Sequence, residues 1–251
     1  MLRRTVAALL GIAVVVPLGL VGCSTVPGTG PAPTPTSTSP STDATARVGP
    51  SGDGVLRIGT LFPMTGDAAG SGAAQVARAQ LAAREIAEQS GARGLLLDVI
   101  HRNSAGDLVA ALADLAARGV DVLVWDVTRP LPADVASSAR SSGMAVISLN
   151  DLVNGGTALA ASGDFGVRLV SADPGLTNTA GGAEAYDAVM VSALAAIVSA
   201  DDGGASVAAG LRQVASGDVE CASWEECLGV LADDQQISYG GASGTLTALT
   251  Q

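Results

Sequence analysis

Between Val55 and Ser148 two hydrophobic periods take turns along the chain. Short, near-continuous apolar runs at Val55–Leu61, Leu95–Ile100, Val122–Trp125 and Ala145–Ser148 predict strands. The segments between them repeat apolar side chains every three or four residues, which predicts helices. One covers about Ala73 to Gln89, with Val76, Ala79, Ala83 and Ile86 on one face. A second covers Asp107 to Ala117, with Leu108, Leu112 and Leu115, and a third Pro132 to Ser142. Strands apolar on both sides, alternating with amphipathic helices, predict an α/β fold with a parallel sheet covered on both faces. Right-handed crossovers make it an open, doubly wound sheet. Val167 to Ser171 predicts one more strand. Beyond it the period is helical: about Ala183 to Ser199 with the stripe Tyr186, Val189, Met190, Ala193, Leu194 and Ile197, then Ala205 to Val214. Ser223-Trp224-Glu225-Glu226 matches a capping box opening a last helix over Trp224 to Ala232. The polar, Gly-rich tail from Ile237 to Leu249 predicts a short strand or two at most.

The first 22 residues have a different pattern. Arg3 and Arg4 precede an uncharged apolar run from Val6 to Val21, which describes a secretory signal. A transmembrane helix is the poorer reading, because the run is short of the ~20 residues a span needs and contains Pro17. Leu20-Val21-Gly22-Cys23 resembles a bacterial lipobox, which implies that Cys23 is diacylated and becomes the new N-terminus. Two or three acyl chains anchor a protein stably to a bilayer. From Ser24 to Asp53 the chain is Pro, Thr, Ser and Gly with few apolar side chains, a composition too poor in buried surface to order itself. The expected organisation is therefore a signal peptide over 1–22, a lipidated N-terminus and linker over 23–53, and an α/β lobe over 54–172. Residues 173–251 would supply helices and a disulfide-bearing tail completing the same lobe. Its place is the extracytoplasmic face of the cell membrane, held by lipid.

Composition narrows the partners. The formal charge is −11 and there is no lysine; loss of Arg3 and Arg4 with the signal lowers it by two to −13. Nucleic acid and anionic lipid surfaces are excluded as partners by that balance. Six aromatic residues leave little for stacking platforms. With Cys23 committed to lipid, Cys221 and Cys227 form an even pair in an exported chain, and a disulfide is favoured over free thiols. Two thiols with His101 distant in sequence do not make a four-ligand metal site. A lone histidine reads as structural or solvated, and the acid pairs Asp201-Asp202 and Asp233-Asp234 as solvated helix ends. No nucleophile elbow, metal-ligand set or phosphate loop appears, so neither a cofactor nor an enzymatic activity is expected.

In an open parallel sheet, ligands bind outside the carboxyl ends of the strands. The loops reaching that rim are Pro63 to Gly72, Asn103 to Gly106, Asp126 to Pro132 and Leu149 to Gly156. Helix N-termini there favour carboxylates and other small anions. Gly70-Ser71-Gly72 superficially matches a dinucleotide fingerprint but lacks its third glycine.

Several segments together carry a family resemblance. Ile58-Gly59 through Pro63-Met64-Thr65-Gly66, Ser104-Ala105-Gly106-Asp107 and Gly119 to Val124 resemble the first lobe of type I periplasmic solute-binding proteins. Ala185-Tyr186-Asp187-Ala188-Val189 and Tyr239 to Gly244 resemble the C-terminal portion of the same family. The nearest resemblance is to the branched-chain amino-acid receptors of ABC importers. It implies two lobes closing on a small polar solute, with ABC permease subunits as partners. Here, however, the chain passes from Val170 almost directly to Tyr186, so most of a second lobe, roughly 100 or more residues, is missing. A one-sided crevice buries little of a small ligand.

The family's turns that hold the solute's carboxylate and amine correspond to Trp125-Asp126-Val127-Thr128-Arg129 and Ser148-Leu149-Asn150-Asp151-Leu152. Arg129 and Leu152 stand where small hydroxyl residues are expected. The candidate ligand residues are Thr65, Gly66, Ser71, Asp126, Thr128, Arg129, Ser148 and Asn150, with Arg129 able to pair with a carboxylate. The alternative is that these are loop residues of a decayed pocket on a structural or protein-interaction lipoprotein. A homodimer formed through the face a second lobe once covered would complete the cleft.

Overall fold

The computed structural model describes residues 51–89, 95–153, 167, 171, 174, 175 and 178–246. The signal, Cys23, the linker as far as residue 50 and the ends of two predicted segments (residues 154–156 and 247–249) lie outside the described residues.

Four strands form a parallel sheet in the order β2-β1-β3-β4: β1 Val55–Phe62, β2 Leu96–Asn103, β3 Val122–Trp125 and β4 Ala145–Ser148. Helices α1 Ala69–Gln89, α2 Leu108–Ala117 and α3 Ala133–Ser141 make the crossovers. This is the doubly wound α/β fold expected from the alternation of periods. The two faces have separate cores. Leu61, Leu123 and Trp125 pack under α2 and α3 with Leu112, Leu115 and Val135. Leu56, Ile58, Val122, Val124 and Ile147 face α1 and the C-terminal helices.

Those C-terminal elements are α4 Gly182–Ser199, α5 Gly204–Val214, β5 Val219–Cys221, α6 Trp224–Ala232, β6 Ile237–Gly241 and β7 Gly244–Thr245. Helix α4 lies between α1 and α5 against β1 and β3, and its side chains from Ala183 to Ala196 are buried. It is also the one described helix long and apolar enough to cross a membrane, but its place is the core of the lobe. A helix apolar all round belongs inside. Helix α4 carries two buried acids, Glu184 and Asp187, and the second is caged. Asp187 Oδ1 accepts from the Tyr239 hydroxyl at 2.8 Å and the Ala242 amide at 2.9 Å. Its Oδ2 accepts from the Ser243 amide and hydroxyl, each at 2.5 Å. Burial pushes the Asp187 carboxyl upward and the four donors pull it back. Gly241 makes room for the cage, since a Cβ there would stand 2.1 Å from Asp187 Oδ1.

Three expectations need correction. The predicted strand at Val167–Ser171 is not extended at its two described residues, which are both helical. Helix α1 starts at Ala69 rather than Ala73, so Gly70, Ser71 and Gly72 are its first turn and not a loop. Gly72 permits this, because a Cβ there would meet the Pro63 carbonyl oxygen at 1.8 Å. Strand β2 runs to Asn103, three residues past Ile100, placing His101 inside the sheet. The tail supplies the two short strands expected of it, and they join a second sheet in which β6 pairs parallel with β5 and antiparallel with β7. β5 has only three residues, too few for a period to be read.

Other expectations match. Cys221 and Cys227 are disulfide-bonded. Ser223 Oγ caps the Glu226 amide at 3.3 Å, while the Glu226 carboxylate reaches the Ala222 amide at 2.9 Å, one residue before the partner a capping box prescribes.

Candidate functional site

At the carboxyl end of the sheet the loop after β3 sits between the ends of β2 and β4 and is bonded to both. Asp126 is fully buried. Its Oδ1 accepts from the Thr128 amide at 2.7 Å and hydroxyl at 2.5 Å; its Oδ2 accepts from Ser104 Oγ at 3.1 Å. A carboxylate at a strand end satisfies its lone pairs with the turn that follows it, as Asx turns do. Arg129 folds back over this turn. Its Nε lies 3.6 Å from Asp126 Oδ2, its Nη2 donates to the Ser104 carbonyl, and its guanidinium stacks 4.8 Å above the Trp125 ring. The Trp125 indole N–H donates to the Arg129 carbonyl at 2.9 Å, and Asn150 Nδ2 bridges the carbonyls of Asp126 and Arg129 at 3.1 and 2.8 Å.

Two further contacts fix the rim from the helix side. Gln75, buried in the second turn of α1, accepts from the Val127 amide at 3.3 Å and donates to Ser71 Oγ at 3.1 Å. Ser71 in turn donates to the Ala180 carbonyl at 3.2 Å. On the β2 side, Asn103 Oδ1 accepts from the Met64 and Ala105 amides, and its Nδ2 donates to Thr65 Oγ1 at 2.9 Å.

Of the eight candidate ligand residues, Asp126, Thr128, Arg129 and Asn150 thus come together around one turn. Ser71 is linked to it through Gln75, while Thr65 and Gly66 lie in an exposed loop apart from it. Ser148 is buried beside the turn and makes no capping bond to the 3₁₀ turn Leu149–Leu152. Ser104, Gln75 and Trp125 are the members the sequence reading left off the candidate set. Ser104 and Trp125 stand inside the family-like motifs, but Gln75 carries no motif and only its place in the second turn of α1 could have pointed to it.

The chemical consequence is a rim whose strongest donor is partly engaged. A guanidinium that captures a solute carboxylate has to present its fork outward. Here Arg129 gives Nη2 to the Ser104 carbonyl and holds Nε 3.6 Å from Asp126, with its side chain 43% exposed. Cavities of about 340 and about 510 Å³ lie elsewhere, the first beside the disulfide and β6, the second between α1 and α6.

Two other polar groups are structural. His101 lies between Thr60 Oγ1 at 2.7 Å and Gln80 Nε2 at 2.8 Å. With Gln80 donating, His101 Nε2 accepts and its Nδ1–H points to Thr60. Burial, aided by the Arg102 charge, lowers its pKa to about 4, so the ring is neutral at physiological pH. Asp201 and Asp202 are not the solvated pair their place at a helix end suggests. Asp201 accepts from the Ser51 and Gly52 amides and Asp202 from the Gly54 amide, so the turn after α4 holds the entry to β1.

No protein-family model and no curated protein matches the chain. Among solved structures it is similar to the branched-chain amino acid transporter substrate binding protein LivJ from Streptococcus pneumoniae, in complex with isoleucine, at 26% identity and a TM-score of 0.33. That match covers 38% of this chain and 28% of LivJ. It is similar too to the C-domain of LpoA from Haemophilus influenzae, a regulator of PBP1A, at 14% identity and a TM-score of 0.25 over 66% of this chain and 56% of that one. Full-length LpoA from the same organism matches at 15% identity and a TM-score of 0.26, over 73% of this chain and 37% of LpoA. The likeness is distant and reaches the fold class, not the branched-chain amino-acid receptors in particular.

Proposed function

We propose that this chain is a lipid-anchored extracytoplasmic protein in which a lobe of the solute-binding type docks another protein instead of closing on a small solute. One observation carries the reading: Arg129, the cation best placed to hold a carboxylate, is folded onto Asp126, the Ser104 carbonyl and the Trp125 ring. Opening that turn to a solute would cost the hydrogen bonds it already makes, each worth about 1 kcal/mol and more where a charge is involved. Catalysis forms no part of the proposal: His101 is held neutral between Thr60 and Gln80, and the cysteine pair is oxidised. The anchor is Cys23, so Cys23→Ser is expected to move the protein from the membrane to the soluble fraction.

Thermal shift with a panel of amino acids and small carboxylates tests the docking reading against the receptor one. A ligand that binds only the native state stabilises it by RT ln(1 + [L]/Kd). No shift is expected at millimolar solute. A saturable shift abolished by Arg129→Ser would overturn the proposal in favour of a solute receptor serving an ABC permease. Ser148, which makes no capping bond at the rim, is the side chain that the receptor reading would use first.

A further inference from the structure

Strand β2 forms one edge of the four-stranded sheet and β4 the other. The β4 edge is four residues long, and three of them are buried. The β2 edge is eight residues long with none buried, and Leu96 and Asp98 are exposed on it. Which of its backbone groups face outward follows from the ladder. β1 and β2 pair in parallel with Phe62 opposite Asn103, and the Ser104 amide donates to the Phe62 carbonyl at 2.8 Å. In a parallel ladder alternate residues of a strand bond to the neighbour. The even-numbered residues of β2 therefore bond to β1, and the amides and carbonyls of Leu97, Val99, His101 and Asn103 point away from the sheet. Such a row on a long edge is a template for another strand. Among the described residues one contact is made to it: Arg102 Nη1 donates to the His101 carbonyl at 2.7 Å. The guanidinium is itself held. Its Nε donates to Asp114 Oδ2 of α2 at 2.7 Å, its Nη2 lies 2.5 Å from the same oxygen, and Arg118 Nε reaches that oxygen at 2.8 Å.

We propose that Arg102 is a guard that keeps the β2 edge from pairing with the β2 edge of a second copy. A strand added there has to donate to the His101 carbonyl and to run in the plane of the sheet about 4.8 Å away. The Arg102 guanidinium occupies that carbonyl and puts a charge where the added backbone would lie. Charged side chains on an edge keep edges apart in this way. The fastening to Asp114 stiffens the block, because Arg102 can leave only by giving up an ion pair as well as the carbonyl. A second copy is the strand that most needs excluding. Antiparallel pairing of two β2 strands about Ile100 sets Val99 opposite His101 and Leu97 opposite Asn103 of the other copy. Every outward residue of the row then finds a partner. Confinement of anchored copies to one membrane surface would also raise their effective concentration. That last point rests on the proposed anchor; the guard itself does not.

Sedimentation velocity on the full chain in detergent micelles, from about 10 to 500 µM, is expected to show a monomer. Arg102→Ala should lower the dimer dissociation constant at least about tenfold, into that range, and Asp114→Asn, which unfastens the guard but leaves it in place, by less. In the Arg102→Ala dimer the Val99 and His101 amides should gain protection from hydrogen exchange. Val99→Pro added to Arg102→Ala should restore the monomer, because it removes an outward donor and none of the bonds to β1. Melting curves show that each variant is folded. A monomer for Arg102→Ala at every concentration would overturn the proposal. So would association that leaves the two amides unprotected or survives Val99→Pro, or a parent chain already paired through them. The guard uses none of the rim residues. Solute binding abolished by Arg129→Ser would therefore remove the docking reading and leave the guard standing.

Discussion

The two faces of the four-stranded sheet are covered to different depths. On one, α1, α4 and α5 lie side by side on the strands, and α6 and β6 pack on α4 in turn. On the other, α2 and α3 are the only layer among the described residues, and Val109 stands in solvent. Where a further layer exists, a helix can be apolar all round, and its few polar groups must be satisfied inside, as Asp187 is by Tyr239, Ala242 and Ser243. Where none exists, the outer side of the helix is free to be polar, as Asp114 is on α2, ion-paired with Arg102 and Arg118, and Val109 stands open beside it. The difference teaches that hydrophobicity on a helix has to be judged against what lies over it.

Four changes probe that contrast, the largest first. Asp187→Ala leaves four donors unanswered under the roofed face and should cost about 3–5 kcal/mol, enough to unfold a marginal domain. Chemical denaturation reads this directly, and a loss under 1 kcal/mol would mean that the cage does not hold the C-terminal segment.

The second concerns pH. The His101 pKa, lowered to about 4 by burial, contributes stability that is complete above the usual value of 6.5 and is lost as pH falls through 4, at most about 3 kcal/mol. Asp121 works the other way. Burial is the main cause raising its pKa to about 6, so its contribution is present at low pH and is lost as pH rises through 6. Melting curves at pH 4.5 and 7 should show His101→Gln tolerating acid better than the parent chain, and Asp121→Asn tolerating it worse. Identical pH profiles for all three would contradict the buried, neutral imidazole.

Third, replacing Cys221 and Cys227 by serine opens a loop with a sequence separation of 6 and should cost about 2 kcal/mol. The smallest effect is expected on the thinly covered face. Val109→Ser should change stability by less than about 0.5 kcal/mol, as exposed substitutions do. A large loss of stability there would mean that Val109 supports the fold.

The layers of the sheet were legible because a strand buried on both faces has to be apolar almost continuously, and its covering helices need one apolar side each. Val122–Trp125 and Leu108, Leu112 and Leu115 carry that signal locally. The candidate site was legible only as a set of loops. Asp126, Thr128, Arg129, Ser148 and Asn150 were placed at the rim by topology, but the direction in which Arg129 points depends on Ser104 and Trp125. These come from the end of β2 and from β3, and no spacing along the chain encodes that meeting.

What the sequence determined by itself was whatever depends on neighbours along the chain: the alternation of periods, the order of strands and helices, the cap at Ser223 and the pairing of Cys221 with Cys227. What only the tertiary structure decided was whatever depends on groups brought together from far apart. The second sheet is one case, since β5 has three residues and exists because β6 lies beside it. Asp201 and Asp202 are another, acids that bind amide groups about 150 residues earlier. The inward fold of Arg129 is the third. Local periodicity is written in every few residues because burial of a face repeats with the helix or strand; the partner of a buried charge is fixed only when the chain closes on itself.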